Sequence, residues 1–169
     1  GGIVIAAKTA EGLRVMNQKI RDRELKKYYL CIVHGTLPRP AGRLEGYILK
    51  DEAKKQVTVS SRPRPGAKTA VTLYETLAVR NGLSLVRCQL ITGRTHQIRA
   101  QFAAAGHPLL GDGKYGSERQ NKRYGRSYQA LYSYRLEFCF TTDAGALAPL
   151  DGQQFQVEQV DFVAEYFPG

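Results

Sequence analysis

The stretch Ala70-Val-Thr-Leu-Tyr-Glu-Thr-Leu-Ala-Val79-Arg80-Asn81-Gly82-Leu83-Ser-Leu-Val-Arg-Cys-Gln-Leu-Ile-Thr92 decides the fold class. Two runs, Ala70 to Val79 and Leu83 to Thr92, alternate apolar and polar residues with the period of two that places successive side chains on opposite faces of a sheet. Asn81-Gly82 stands between them, and this dipeptide tolerates the positive φ angles that a two-residue type I′ turn demands. The stretch therefore predicts an antiparallel hairpin with two long arms.

Upstream of the hairpin, Tyr28 to Gly35 is rich in aromatic and β-branched residues and reads as a strand. Arg43 to Leu49 reads as another after the Pro38/Pro40/Gly42 break, with a weaker candidate at Val57 to Ser60. Ile3 to Ala7 has the pattern of a buried strand. Thr9 then stands as the N-cap of a helix carrying Leu13, Met16 and Ile20 on one face, weakened by Gly12. Downstream, a short helix is expected from about Thr95 to Ala105, then a Gly-rich loop region to about Arg126, then strands near Leu131–Phe140 and Phe155–Val160. Strands follow one another more often than they alternate with helices, so the class is α+β with a mixed, mostly antiparallel sheet and a few short helices.

The chain has 169 residues, with 43% of the AVILMFWYC class and 24% charged, as in an ordinary folded domain. No apolar run approaches the roughly 20 residues that span a bilayer, and the N-terminal stretch has no basic leader, so membrane and secretory readings are set aside. Cys31, Cys88 and Cys139 are odd in number and lie in apolar runs without Cys-x-x-Cys spacing, which suits buried thiols in a reducing cytoplasm. Neither they nor His34, His96 and His107 have metal-ligand spacing, so no metal is expected.

Charge is more informative. The net charge is +10, yet from Thr141 onward there are five acids and no Lys or Arg, so residues 1–140 carry all 25 basic groups. Without an amphipathic basic helix or a lipidation signal, this excess favours nucleic acid over an anionic membrane as the polyanionic partner.

Two look-alike motifs fail on context. Gly111-Asp-Gly113-Lys-Tyr-Gly116 matches the letters of a dinucleotide fingerprint but follows a helix rather than a strand, and reads as a turn. Gly106-His-Pro-Leu-Leu-Gly111 resembles the start of a phosphate-binding loop but continues into Asp112-Gly113 instead of Lys-Ser/Thr. The richest segment chemically is Leu90-Ile-Thr-Gly-Arg94-Thr-His-Gln-Ile-Arg99, where the second hairpin arm gives way to the helix. Gly93 permits a sharp turn and Thr95 can cap the helix, so Arg94 projects from a rigid junction. Spacing alone leaves two readings open: a functional cleft, or Arg94 and His96 closing strand and helix ends through backbone bonds.

Thr92-Gly-Arg94-Thr-His96-Gln97-Ile-Arg99, followed by Gly106-His107-Pro-Leu-Leu-Gly111-Asp112-Gly-Lys-Tyr115-Gly116, closely resembles two motifs of the RluA-type pseudouridine synthases, in the right order. Lys27-Tyr28-Tyr29-Leu-Cys-Ile-Val-His-Gly35 is similar to the family's Lys-x-Tyr strand, and Ala67-Lys68-Thr-Ala-Val-Thr72-Leu-Tyr74 to its Lys-x-Ala-x-Thr-x-Tyr strand. The resemblance implies that residues 1–169 form one catalytic domain, that uridines in structured ribosomal or transfer RNA are isomerised to pseudouridine, and that no metal or organic cofactor takes part. A monomer in the cytoplasm is expected.

One departure stands out. The family's catalytic aspartate belongs to a His-Arg-Leu-Asp motif shortly before a strand that Gly2-Ile-Val-Ile-Ala-Ala-Lys8 resembles, and no such motif occurs in these residues. The expectation is an N-terminally incomplete catalytic domain, inactive by itself, whose nucleophile lies upstream of Gly1. By resemblance Arg94 is the active-site arginine that keeps the carboxylate ionised, and Tyr29 the tyrosine that stacks on the target base. Tyr29 also reads as a core aromatic. For His96, Gln97 and Arg99, pocket support or phosphate contact competes with structural bonding. Lys114, Tyr115, Arg119, Lys122, Arg123 and Arg126, with Tyr124 interleaved, read either as RNA-binding residues around the pocket or as a solvated loop. A non-catalytic RNA-binding module and a basic β-rich interaction domain without an RNA role remain as alternatives.

Overall fold

The computed structural model describes residues 1–169. Its centre is the predicted hairpin: β4 (Lys68–Arg80) and β5 (Leu83–Leu90) pair antiparallel, closing on Arg80 opposite Leu83. Asn81 and Gly82 adopt φ of 52° and 75°, the two positive angles of a type I′ turn. Around this hairpin the remaining strands assemble into one sheet in the order β3-β2-β4-β5-β1-β6-β7, with every strand pair antiparallel. The others are β1 (Leu25–His34), β2 (Ala41–Asp51), β3 (Gln56–Ser60), β6 (Leu131–Phe138) and β7 (Gln154–Gln156). The α+β class read from the sequence is the observed one. No helix is long and apolar enough to cross a membrane.

Alternation along β1 divides the core into two layers. Cys31 and Val33 point with Val86 and Cys88 toward α2 (Gln97–Ala104), whose Ile98 and Phe102 complete that layer. Leu30 and Ile32 point the other way, with Leu83 and Leu85, against Phe162 of α4 (Asp161–Tyr166). Cys31 and Cys88 are unoxidised and buried with their Sγ atoms 3.8 Å apart, while Cys139 is half-buried.

Several sequence expectations change. Ile3–Ala7 is not a buried strand: Gly2 makes one parallel bridge to Ser133 and Ile3 N–H donates to the Ser133 carbonyl, but Val4 is 86% exposed. β6 already pairs with β1 on its inner side, and its outer edge is taken partly by β7, so the segment finds only one register position. Helix α1 (Ala10–Arg21) does start from Thr9, whose hydroxyl accepts the Gly12 amide. Its buried face, however, is Gly12, Val15, Met16 and Lys19, with Leu13 and Ile20 turned to solvent. Lys19 rotates the helix: its ammonium donates to Glu24 at 2.9 Å and to the Thr142 carbonyl at 2.8 Å. Glu24 also accepts from Thr141 and from the amide of Thr142. The Lys19 ammonium and these hydroxyl and amide bonds hold the Glu24 carboxyl well below the usual carboxylate range against the opposing effect of desolvation.

Part of the expected Gly-rich loop is helical. Ser117 caps α3 (Glu118–Tyr124), and Gly125, at φ 68°, ends it in the left-handed conformation. The expected strand Phe155–Val160 shortens to the three residues of β7, and α4 follows it.

Gly82 sits where a Cβ meets the Tyr124 hydroxyl at 3.0 Å and where φ disfavours any L side chain. Gly82→Ala is expected to lower stability by about 1–2 kcal/mol, read as a lower urea midpoint with an unchanged m-value.

Candidate active site

The β5–α2 junction is built from a ladder of buried amides and hydroxyls. Thr92 Oγ1 accepts the Val71 amide at 2.9 Å and donates to Gln97 Oε1 at 2.7 Å. The same Gln97 oxygen accepts the Arg94 amide at 3.1 Å. Gln97 Nε2 donates to the Val71 carbonyl and to Thr72 Oγ1, at 3.0 and 2.9 Å. Thr72 in turn donates to Gln101 Oε1 at 2.7 Å, and Gln101 Nε2 to the Ala70 carbonyl at 3.1 Å. These bonds stitch the first turns of α2 to β4 and hold the backbone of Arg94 in place. The guanidinium itself is steered by Nε, which donates to the Thr69 carbonyl at 2.8 Å.

Gln97 is 2% exposed and its side chain is engaged inside the fold, where it also holds the Arg94 amide. Arg99 is likewise committed: Nε and a terminal nitrogen donate to the two carboxylate oxygens of Asp112, at 2.8 and 2.9 Å, and the acid is wholly buried. Asp112 also accepts the Lys114 and Tyr115 amides, as a turn residue does. Burial pushes its carboxyl up, but the Arg99 bond and the two amides outweigh that and hold it below its ordinary value. Gly111, at φ 81°, approaches the Tyr128 carbonyl so closely that any Cβ would collide with it.

His96 takes the N-cap of α2 in place of the expected Thr95, in the left-handed region at φ 53° and with no capping bond from its side chain. Its Nδ1 lies 2.8 Å from the Tyr115 hydroxyl, which accepts the Val57 amide at 2.9 Å. Burial, then the charges of Arg99 and Lys114, lower the histidine pKa and favour the neutral imidazole. Lys114 is fastened too, its ammonium donating to the Lys55 carbonyl at 2.8 Å. The other histidines have structural partners: His34 bonds Asn121, and His107 the His34 carbonyl.

The basic stretch after Tyr115 does not surround this junction. Tyr124 donates to the Asn81 carbonyl, which places the end of α3 at the hairpin turn, the far end of β5 from Arg94. Eight strand residues separate those ends, roughly 25 Å. Arg119 and Arg123 are exposed there, and Lys122 pairs with Glu118 at 3.0 Å. Arg126 donates to the Tyr128 carbonyl, pairs with Glu165 and covers the Phe162 ring, so it anchors the C-terminal helix. Chain proximity suggested one basic patch; the course of residues 112–125 along the sheet draws it out.

Two clefts flank Arg94 instead. The larger, of about 400 Å³, lies between the α1–β1 turn and the junction and is lined by Arg21, Arg23, Lys26, Lys27 and Gly93 together with Arg94. The smaller, of about 200 Å³, opens toward the β2–β3 hairpin and includes Lys50 and Lys68. No carboxylate lines either one. Lys27 is half-buried, and desolvation lowers its pKa. The sequence reading missed these cations; the run Arg21-Asp-Arg-Glu-Leu-Lys-Lys27 was the available signal. Tyr29, the next residue on the same face of β1, packs half-buried at the edge of the α2 layer. It pairs with Ser133, which in turn bridges Gly2, so the N-terminal backbone enters two strands from Tyr29.

With this geometry in hand, the chain can be set beside known proteins. Residues 1–104 match the family model for RNA pseudouridylate synthase. The chain is 37% identical over 142 residues to an uncharacterized RNA pseudouridine synthase, MG370, of Mycoplasma genitalium, covering 81% of this chain and 43% of the relative. It is 31% identical over 165 residues to the ribosomal large subunit pseudouridine synthase D of Zymomonas mobilis, covering 97% and 49%. Human RNA pseudouridylate synthase domain containing 4 superposes with a TM-score of 0.68 at 22% identity, covering 91% of this chain and 65% of that one, and so shares the fold. The chain belongs to the RNA pseudouridylate synthase family. It spans somewhat under half the length of these two curated relatives.

Asp112→Asn leaves Arg99 without a charged partner in a mostly buried site, and breaking such a pair costs about 3–5 kcal/mol. The variant is expected to lose about that much stability at pH 7. Because the folded-state pKa of Asp112 is depressed, its contribution is full above the unfolded value of about 4 and vanishes as pH falls through the folded value. Wild-type and variant urea midpoints should therefore converge in acid; a constant gap down to pH 2 would refute the ion-pair assignment.

Proposed function

We propose that this chain is the RNA-modifying catalytic portion of a pseudouridine synthase acting on structured ribosomal or transfer RNA in the cytoplasm. The observation that carries the reading is Arg94. Its backbone is pinned by Gln97, its Nε by Thr69, and it stands between two basic clefts that contain no carboxylate. A guanidinium so fixed is suited to grip an incoming aspartate and keep it ionised in a partly desolvated pocket. The aspartates of the chain are poor candidates for that role: Asp112 is locked to Arg99, and Asp22, Asp51, Asp143, Asp151 and Asp161 do not line either cleft.

In the reaction, an aspartate from outside these residues acts on a uridine flipped from its stack. The bond from ribose C1′ to uracil N1 breaks, the base rotates, and a bond from C1′ to C5 forms. N1 gains a proton and the hydrogen of C5 leaves as a proton, so the change is a redox-neutral isomerisation. Tyr29, half-buried on the same face of β1 as the cleft residue Lys27, is assigned the stacking contact with the uracil, and its phenol can relay the C5 proton to solvent. His96 and Tyr115 act on RNA indirectly, by fixing the loop beside Arg94.

The test is tritium release from RNA labelled at uridine C5. The full-length protein should release tritium, and the 169-residue chain alone should bind RNA without releasing any. Arg94→Lys in the full-length protein keeps the charge but loses the planar fork. Losing one charge-assisted bond costs about 1.5–3 kcal/mol, so turnover should fall at least tenfold while RNA affinity stays within about twofold. Turnover by the isolated chain would place the nucleophile inside it and refute the assignment, and normal chemistry with weakened binding in the variant would make Arg94 a phosphate contact.

A further inference from the structure

We infer that the larger cleft is a phosphate seat for the single-stranded RNA backbone, with Lys27 at its floor and Arg23 on its wall. The inference rests on the proposed RNA-isomerase function and adds a binding site to it. In the sequence, Arg21-Asp22-Arg23-Glu24-Leu25-Lys26-Lys27 sets four cations among two acids. The fold separates them. Glu24 turns inward, 3% exposed, and is consumed by Lys19, Thr141 and Thr142. Asp22 turns back along α1, where Gln18 donates to it at 2.8 Å. Between these two acids the backbone of Arg23 adopts the left-handed conformation, φ 58°, and the residue joins the cleft wall. What remains facing the cleft is Arg21, Arg23, Lys26, Lys27 and Arg94, without a compensating acid.

Lys27 is the member with a built position. It is half-buried, and it lies against Gly93, where an added Cβ would stand 3.2 Å from the ammonium. A cation partly removed from water beside four others gains more from an arriving anion than a fully hydrated surface lysine does. A polymer fits better than a small phosphorylated molecule, because Gly93 and Arg94 also line the second cleft, with Lys50 and Lys68, so that cations stand on both sides of Arg94. Lys27 and Tyr29 are two residues apart on one strand face, roughly 7 Å, so a phosphate held at Lys27 lies beside a base stacked on Tyr29.

The experiment measures binding of a fluorescein-labelled 12-nucleotide oligouridylate to the 169-residue chain by anisotropy, from 50 to 300 mM KCl. Lys27→Met keeps the aliphatic stem and removes the charge. It should weaken binding about tenfold at 0.1 M salt, and the slope of log affinity against log salt should shrink by about 0.7, the value of one phosphate contact on a single strand. Arg23→Asn, a residue that tolerates left-handed backbone, should reduce the slope similarly and keeps the seat testable if Lys27→Met fails to fold. Gly93→Ala, which crowds the Lys27 ammonium, should weaken binding in the same sense. Unchanged slopes in Lys27→Met and Arg23→Asn, on a wild-type chain that binds the oligonucleotide, would overturn the seat alone. A wild-type chain that does not bind it would overturn the RNA reading itself.

Discussion

The arrangement around Arg94 depends on two buried glutamines. Gln97 and Gln101 lie one turn apart on α2, and both point into β4, where they bond the Thr72 hydroxyl between them and reach the Val71 and Ala70 carbonyls. Buried polar groups are costly unless paired, so once α2 covers β4 these amides must be satisfied in one register only. A shift of α2 by a single residue would leave two glutamine side chains and Thr72 unpaired. The precision of the junction, and of Arg94 just before it, comes from this penalty more than from the apolar contacts of Ile98 and Phe102, which tolerate sliding.

A second constraint extends the first. Asp112 receives Arg99 from α2 and closes its own turn, which sets Tyr115 against His96 and the β2–β3 hairpin. The hairpin is joined to the body twice, through the Tyr115 hydroxyl to Val57 and the Lys114 ammonium to Lys55. Three sequence-distant segments thus converge on one side of the junction. That explains why His96 and Tyr115 fall near Arg94.

The fold was largely legible because its strongest signals are local. The Asn81-Gly82 turn and the alternation flanking it specify β4 and β5, and Thr9 specifies where α1 begins. What failed was non-local. Leu13 and Ile20 suited a buried face by spacing, but the Lys19–Glu24 pair, formed with residues more than a hundred positions away, rotated the helix. Ile3–Ala7 had the composition of a strand without an edge long enough to receive it. At the site, Arg94 was legible from its motif, whereas the bonding of Gln97 and Arg99 inside the fold required knowing that β4 and the Asp112 turn lie within reach. Cations that are neighbours in the sequence part in space: Lys114 stays with Tyr115 at the β2–β3 hairpin, α3 runs along the sheet to the Asn81 turn, and residues of the Arg21–Lys27 run line the cleft at Arg94.

Charge is sorted by the same architecture. Strand alternation sends α2 and α4 to opposite faces of the sheet, and the acids of the C-terminal segment, including Asp161 and Glu165, travel with α4. Arg126 is drawn to that face and neutralised by Glu165. On the other face, the acids closest to the cleft in sequence are taken up inside the protein by Lys19 and Arg99, or turned onto Gln18. Each acid so engaged removes a counter-charge from the cleft, and a low-dielectric wall beneath Lys27 limits how far water can screen those that remain. A chain with a net charge of +10 thereby concentrates its positive potential where a polyanion can approach Arg94, and the buried ion pairs that hold the fold help it to do so.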